Sequence, residues 1–311
     1  MQKGLLTAAC VMLLLFACCD KPQTAVSTAA PTATTEASAK PAQTHTPIAT
    51  PALTPSPTPT PTPALAPSPT PTPTPEPTPE PITKERLDAG EFDAYFDDAV
   101  FIGDSLTRAL YGYVREQRSE NENFLGKALF MSAVSMSVKN ACTDRAYPGG
   151  ITFMAQGKAV SVTEGITARQ AKKAFIMLGV NDIGFRTWES VEGYYARLID
   201  AIHTKCPDTV IIMQGVLPVT SRYCEWEKLD IDKWNSFNTV LERICEEHSA
   251  VFLNFADEMK DEQGYLPFEL TSDRMYHLSE SGNEIWVRSV RLYAAQQLCP
   301  DSAVVISQGK E

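Results

Sequence analysis

The chain from residue 84 to residue 311 predicts an α/β fold: a three-layer sandwich on a central, mostly parallel five-stranded sheet, with a small hairpin insertion. Three observations carry this. Short continuous apolar runs recur along the segment, as in strands buried on both faces. Longer amphipathic stretches alternate with those runs, as in helices that cover a sheet. A sharp change of composition sets this region apart, since 18 of the chain's 23 prolines fall between Pro22 and Pro81.

The elements follow in order. Asp98 to Gly103 (DAVFIG) reads as a buried strand and Leu106 to Arg118 as the helix after it. Lys127 to Ser135 is a second apolar run. Ile151 to Ala155 and Ala159 to Val162, joined through Gln156-Gly157-Lys158, read as a hairpin with a glycine turn. Lys173 to Leu178 is a strand, and Trp188 to Lys205 a helix. Asp208 to Met213 is a further strand, followed by a helix from Asp230 to Glu247. Ala250 to Phe255 is the last strand, and Ser279 to Leu298 the closing amphipathic helix. In such folds ligands bind at the carboxyl ends of the strands.

Residues 1–19 read as a targeting signal, with Lys3 ahead of an apolar run from Leu5 to Phe16 that is short for a membrane span. The run ends in Leu15-Phe16-Ala17-Cys18, which resembles a bacterial lipobox and makes Cys18 the lipidation site, with Cys19 as the alternative acceptor. Residues 20–83 have too little apolar surface to offset chain entropy and read as a disordered linker. Proline at nearly every second position from Pro55 to Pro81 favours polyproline II, extended by about 3.1 Å per residue. The expected picture is a domain held away from the outer face of the cytoplasmic membrane by a spacer, touching the membrane through the lipid alone.

Lys and Arg minus Asp and Glu is 24 − 34 = −10 after Thr83, so the domain has no basic face for nucleic acid or an anionic membrane. Its five cysteines, Cys142, Cys206, Cys224, Cys245 and Cys299, allow one or two disulfides, leave at least one without an intramolecular partner and include no C-x-x-C pair. Neither zinc-ligand spacings nor an H-E-x-x-H motif occurs, and no metal or other cofactor is expected.

Three motifs fall at or near the ends of expected elements. Gly103-Asp104-Ser105-Leu106 places a serine between the first strand and its helix, where the plain alternative is a helix cap. Gly179-Val180-Asn181-Asp182 follows a strand directly, with an Asx-type turn as its plain alternative. His277 stands just before the closing helix.

Together these motifs resemble the SGNH, or G-D-S-L, serine hydrolases, a family of esterases, lipases and acylhydrolases, over about Phe101 to Ala295. The resemblance implies the flavodoxin-like version of the sandwich, with Ser105 as nucleophile, His277 as base and the Asn181 amide in the oxyanion hole. Two positions depart from the family pattern. Ser135, in Ala133-Val134-Ser135-Met136, stands where a glycine normally supplies a second oxyanion N–H, alongside that of Ser105. The usual Asp-x-x-His has Arg274 at −3, and the acid, Asp273, sits at −4. If that segment turns helically, Asp273 reaches His277; if it is extended, a Ser–His dyad operates.

The implied chemistry is acyl transfer through serine, activated by the imidazole. Location points to O-acyl, especially acetyl, groups of extracellular or cell-wall carbohydrate as the substrate. An O-acyltransferase or a lipid acylhydrolase is the alternative within the family, and an inactive surface glycan-binding protein the alternative outside it. Tyr147, Trp188, Trp226 and Trp234 are candidate rim aromatics for a sugar face, with core packing as the alternative for each.

Overall fold

The structure is a computed structural model and describes residues 79–143, 153–155 and 158–306. Five strands, Ala99–Gly103 (β1), Leu129–Ser132 (β2), Lys173–Met177 (β3), Val210–Gln214 (β4) and Val251–Leu253 (β5), pair in the order β2-β1-β3-β4-β5. Every ladder in this sheet is parallel. The chain starts one strand in from the edge of the sheet, steps out to β2, and returns past β1 to β3. That reversal opens a crevice between the carboxyl ends of β1 and β3, where ligands bind in open α/β sheets.

Continuous apolar strands require cover on both faces, and the helices supply it. Ser105–Gln117 (α1) and Glu280–Leu298 (α5) pack together; Trp188–Lys205 (α3) and Ile231–Glu247 (α4) form the other layer, with the single turn Val138–Ala141 (α2) against α3. Asp104, Thr187, Asp230 and Ser279 cap α1, α3, α4 and α5, each side chain accepting a first-turn N–H. Phe101 and Phe175, opposite each other on β1 and β3, stack at 4.8 Å, and Phe96 joins them. Inside the opposite layer, Phe237 of α4 packs on Tyr195 of α3.

Arg291 of α5 is buried and makes a two-pronged ion pair with Asp93, 2.8 Å from Nε to Oδ1 and 2.6 Å from Nη2 to Oδ2. Asp93 also accepts the Leu125 N–H, so one carboxylate ties the closing helix to the two segments that flank β1 and α1. Trp286 of α5 donates its indole N–H to Gln214 at the end of β4, 2.7 Å away.

The hairpin pairs Phe153–Ala155 with Lys158–Val160. Val162, expected in its second strand, instead opens the helix Val162–Ala168. Ser161 and Glu164 form a reciprocal capping box there, which ends the strand. Ser221–Glu227 is unforeseen too, as are the short helices Lys84–Asp88 and α2. Ahead of residue 84, Ile82 is buried and Ile82–Thr83 pairs with Val304–Val305. None of the five domain cysteines is in a disulfide. The targeting signal, Cys18 and nearly all of the linker lie outside the described residues, as does the hairpin turn at residues 156–157. Among the described residues no helix is long and apolar enough to cross a membrane.

Candidate active site

The site starts at the β1–α1 junction. Gly103 ends the strand, and any Cβ there would lie 2.4 Å from the Met177 carbonyl and closer still to Thr107, so only glycine lets the strands approach. Asp104 turns its carboxylate back to accept the Leu106 N–H at 2.9 Å. Ser105 is thereby the first residue of α1, at the end of a helix whose leading N–H groups have no intrahelical partner.

His277 reaches this serine across the sheet edge. Its Nε2 lies 2.9 Å from Ser105 Oγ, and its Nδ1 lies 2.5 Å from Asp273 Oδ2. With Nδ1–H donating to the carboxylate, Nε2 is left to accept from the serine hydroxyl. Asp273 therefore meets the ring from the −4 position, through a local device in the backbone. Arg274 adopts φ 61°, which folds the extra residue into a left-handed turn. Asp273 Oδ1 then gathers the N–H groups of Met275, Tyr276 and His277 at 2.8, 3.1 and 3.2 Å. Burial pushes the Asp273 carboxyl up, but the His277 hydrogen bond and the backbone donors outweigh it and hold it below the usual range.

The turn is anchored from outside as well. Thr220 donates its N–H to Met275 O and its hydroxyl to Arg274 O, both at 3.0 Å. Tyr276 packs edge-on against Tyr223 of the Ser221–Glu227 helix.

The β3 loop forms the opposite wall. Gly179 has φ 126°, and a Cβ there would meet Val216 at 2.6 Å. The tight turn that follows brings Asn181 beside Asp104. Its Nδ2 donates to Asp104 Oδ2 at 3.0 Å and to the Met136 carbonyl at 3.1 Å. Both amide hydrogens are thus engaged within the protein, whereas the family resemblance has the amide donating into the oxyanion hole. Asp104 is almost wholly buried, and that burial pushes its carboxyl up to about 7, against the lowering effects of the Leu106 N–H, nearby His277 and the Asn181 amide. Ser135 is exposed at φ 59°, the left-handed conformation that glycine adopts without penalty. Serine holds that shape at a cost of about 1–2 kcal/mol.

Asp182 is a site residue the sequence reading passed over. Fully buried, it accepts the Val138 N–H at 2.8 Å and faces Arg186 Nε at 3.2 Å, so it pins the loop carrying Ser135 to the loop carrying Asn181. Burial pushes its carboxyl above the usual range, against the Val138 N–H and Arg186. The available signal was an acidic residue directly after Asn181, at a strand end where a solvated turn would need none.

Of the candidate rim aromatics, Trp226 is 66% exposed. Trp234 is core, its indole N–H bonded to the Leu217 carbonyl, because α4 turns that face inward. Trp188 is half-buried against Phe237, and Tyr147 lies outside the described residues. The loops add two more exposed rings, Phe185 and Phe268, the second beneath the Arg274 guanidinium. Among the described residues no cluster of His, Cys, Asp and Glu could hold a metal ion.

Residues 101–285 match the model of the GDSL-like lipase/acylhydrolase family, which is more than half of the chain. No curated protein matches. Among solved structures, a provisionally assigned acylhydrolase from Bacteroides fragilis is 13% identical, with a TM-score of 0.50 over 71% of this chain and 92% of its own. A GDSL-like lipase from Bacteroides thetaiotaomicron is 15% identical, with a TM-score of 0.49 over 69% and 98%. A catalytic mutant of an acetylxylan esterase from Geobacillus stearothermophilus is 16% identical, with a TM-score of 0.44 over 63% and 93%.

Proposed function

The chain belongs to the GDSL-like lipase/acylhydrolase family, and we propose that it is a carboxylic ester hydrolase removing O-acyl groups, chiefly acetyl, from extracellular or cell-wall carbohydrate. The observation that carries this reading is the hydrogen-bonded series from Ser105 through His277 to Asp273. Ser105 Oγ attacks the ester carbonyl carbon while its proton passes to Nε2. The resulting imidazolium is held by the Asp273 carboxylate. The tetrahedral oxyanion takes hydrogen bonds from the Ser105 and Ser135 N–H groups and from Asn181, whose amide exchanges an internal acceptor for it. Each such donor lowers the barrier by ~3–4 kcal/mol. Collapse breaks the bond to the leaving alcohol, which departs with the proton from Nε2. Water, deprotonated by the same nitrogen, then cleaves the acyl-serine to free acid and regenerated hydroxyl.

Carbohydrate as the alcohol is supported by two features. Exposed Trp226, Phe185 and Phe268 offer faces on which sugar rings stack. The lipobox and the proline-rich spacer would hold the domain outside the membrane, within reach of a cell wall. The test is release of acetate from acetylated oligosaccharides, set beside hydrolysis of aryl acetate and long-chain aryl esters. Acetate release with a short-chain preference is expected. A preference for long-chain esters with intact acetylated glycan would overturn the carbohydrate reading.

A further inference from the structure

Beside the proposed site, the β3 loop opens into a cavity of about 210 Å³. In a domain of net charge −10, its wall carries three cations, Arg186, Lys228 and Lys233, against one carboxylate, Asp230. Asp230 is committed to capping α4, where its Oδ1 accepts the Asp232 and Lys233 N–H groups. Arg186 meets buried Asp182 through Nε, and its terminal amino groups make no hydrogen bond among the described residues. Neither lysine has an ion-pair partner among those residues, and Lys233 lies over the Trp188 ring. Trp188 lines the cavity too, and its indole N–H is buried with no hydrogen-bond partner among the described residues. The amino end of α3, which begins at Trp188, adds its partial positive charge to the same region. Lys228 holds a left-handed conformation, φ 57°, at a helix end where glycine would sit without strain.

The cavity is linked to the serine through the β3 loop. Ile183 and Gly184 form part of its wall, and they lie two and three residues beyond Asn181, at most about 11 Å at ~3.8 Å per residue. Asn181 is itself hydrogen-bonded to Asp104, the neighbour of Ser105. A glycan whose ester reached Ser105 and that ran along the β3 loop would meet this wall.

We propose that the cavity is an anion subsite which selects glycans bearing a negative charge, a carboxylate or a phosphate, on a unit next to the acylated sugar. This rests on the carbohydrate esterase reading and narrows its substrate. The anion would be met by Lys228, Lys233 and the free end of Arg186.

Three matched O-acetylated disaccharides test it, ending in a glucuronate, a glucose 6-phosphate or an uncharged glucose. The wild-type protein is expected to show kcat/KM about ten-fold higher for at least one charged disaccharide than for the neutral one, with the ratio shrinking as salt screens the contact. Which charged arm is preferred separates carboxylate from phosphate. The double variant Lys228→Gln/Lys233→Gln, checked by its melting curve, should bring the ratio close to one, and Lys233→Gln alone should lower it. Lys127→Gln, ahead of β2 at the other edge of the sheet, should leave the ratio unchanged. Equal turnover of all three disaccharides by the wild type, or a ratio that survives the double variant, would overturn the subsite while leaving the esterase reading in place. Should none be hydrolysed, the esterase reading falls first, and calorimetric titration with the unacetylated charged disaccharides decides the cavity: no binding overturns it too.

Discussion

At the scale of single residues, the departures from the family pattern have conformational answers. Arg274 absorbs the additional residue between Asp273 and His277, so Asp273 both builds the turn and meets the imidazole. Asp273→Asn separates these duties. Asparagine keeps the oxygen that accepts three backbone N–H groups but presents an amide to Nδ1, which favours the wrong tautomer. Steady-state kinetics should show kcat lower by about 10²–10⁴-fold with KM little changed; a near-silent substitution would favour a Ser–His dyad. Asp104 makes a different prediction. With its folded carboxyl at about 7 against an ordinary value of 3.8, the native state retains a proton that the unfolded chain has released. Stability conferred by this group is therefore full at low pH, declines between about pH 4 and 7, and levels off above. At 1.36 kcal/mol per pH unit the decline amounts to a few kcal/mol. Asp104→Asn should flatten that part of the stability–pH curve, measured by urea unfolding, while losing some activity through the disturbed Asn181 contact. A slope identical to wild type would place the titration elsewhere.

At the scale of elements, α5 depends on a buried charge pair for its seat on the sheet. Asp93→Ala leaves the Arg291 guanidinium buried without its partner, and such losses cost about 3–5 kcal/mol. Denaturant unfolding should report a loss of that size, and one below about 1 kcal/mol would mean that water or another acceptor takes over. The long elements were legible from sequence because continuous apolar strands and 3.6-residue periodicity leave strong signals; α3 has the expected limits, and α4 and α5 start one residue late because Asp230 and Ser279 serve as caps. The Val162–Ala168 helix was readable from Ser161 and Glu164, yet the apolar Ala159–Val162 run pointed to strand. Ser221–Glu227 buries only Tyr223 and Cys224, too few positions to show a period. Strands of two residues, such as Ile82–Thr83, cannot show alternation at all. In the site, Ser105, Asn181 and His277 stood out by their positions near element ends. The double use of the Asn181 amide, the buried Asp182 link and the left-handed backbone at Ser135 and Arg274 did not, because loop geometry is set by tertiary contacts.

At the scale of the whole molecule, the domain's acidic surface and its local cationic cavity have opposite consequences. The surface charge disfavours adsorption to anionic polymers in general, so any anionic glycan would have to be recognised at one place. The lipobox reading adds that the domain works from a tether. Replacing Cys18 and Cys19 together with Ala should abolish lipidation, whichever cysteine accepts the lipid, and release the protein from the membrane fraction. Wild-type protein found free in the medium, without a lipid-modified amino-terminal peptide, would refute the anchor.

The central claim is that Ser105 is an activated nucleophile, and covalent labelling tests it most directly. After incubation with a fluorophosphonate, intact-mass and peptide mass spectrometry should show one adduct, on Ser105. It should be absent from Ser105→Ala, and it should form far more slowly in His277→Ala because the imidazole no longer takes the hydroxyl proton. A wild-type protein that stays unlabelled, or is labelled equally well without His277, would contradict the hydrolase mechanism.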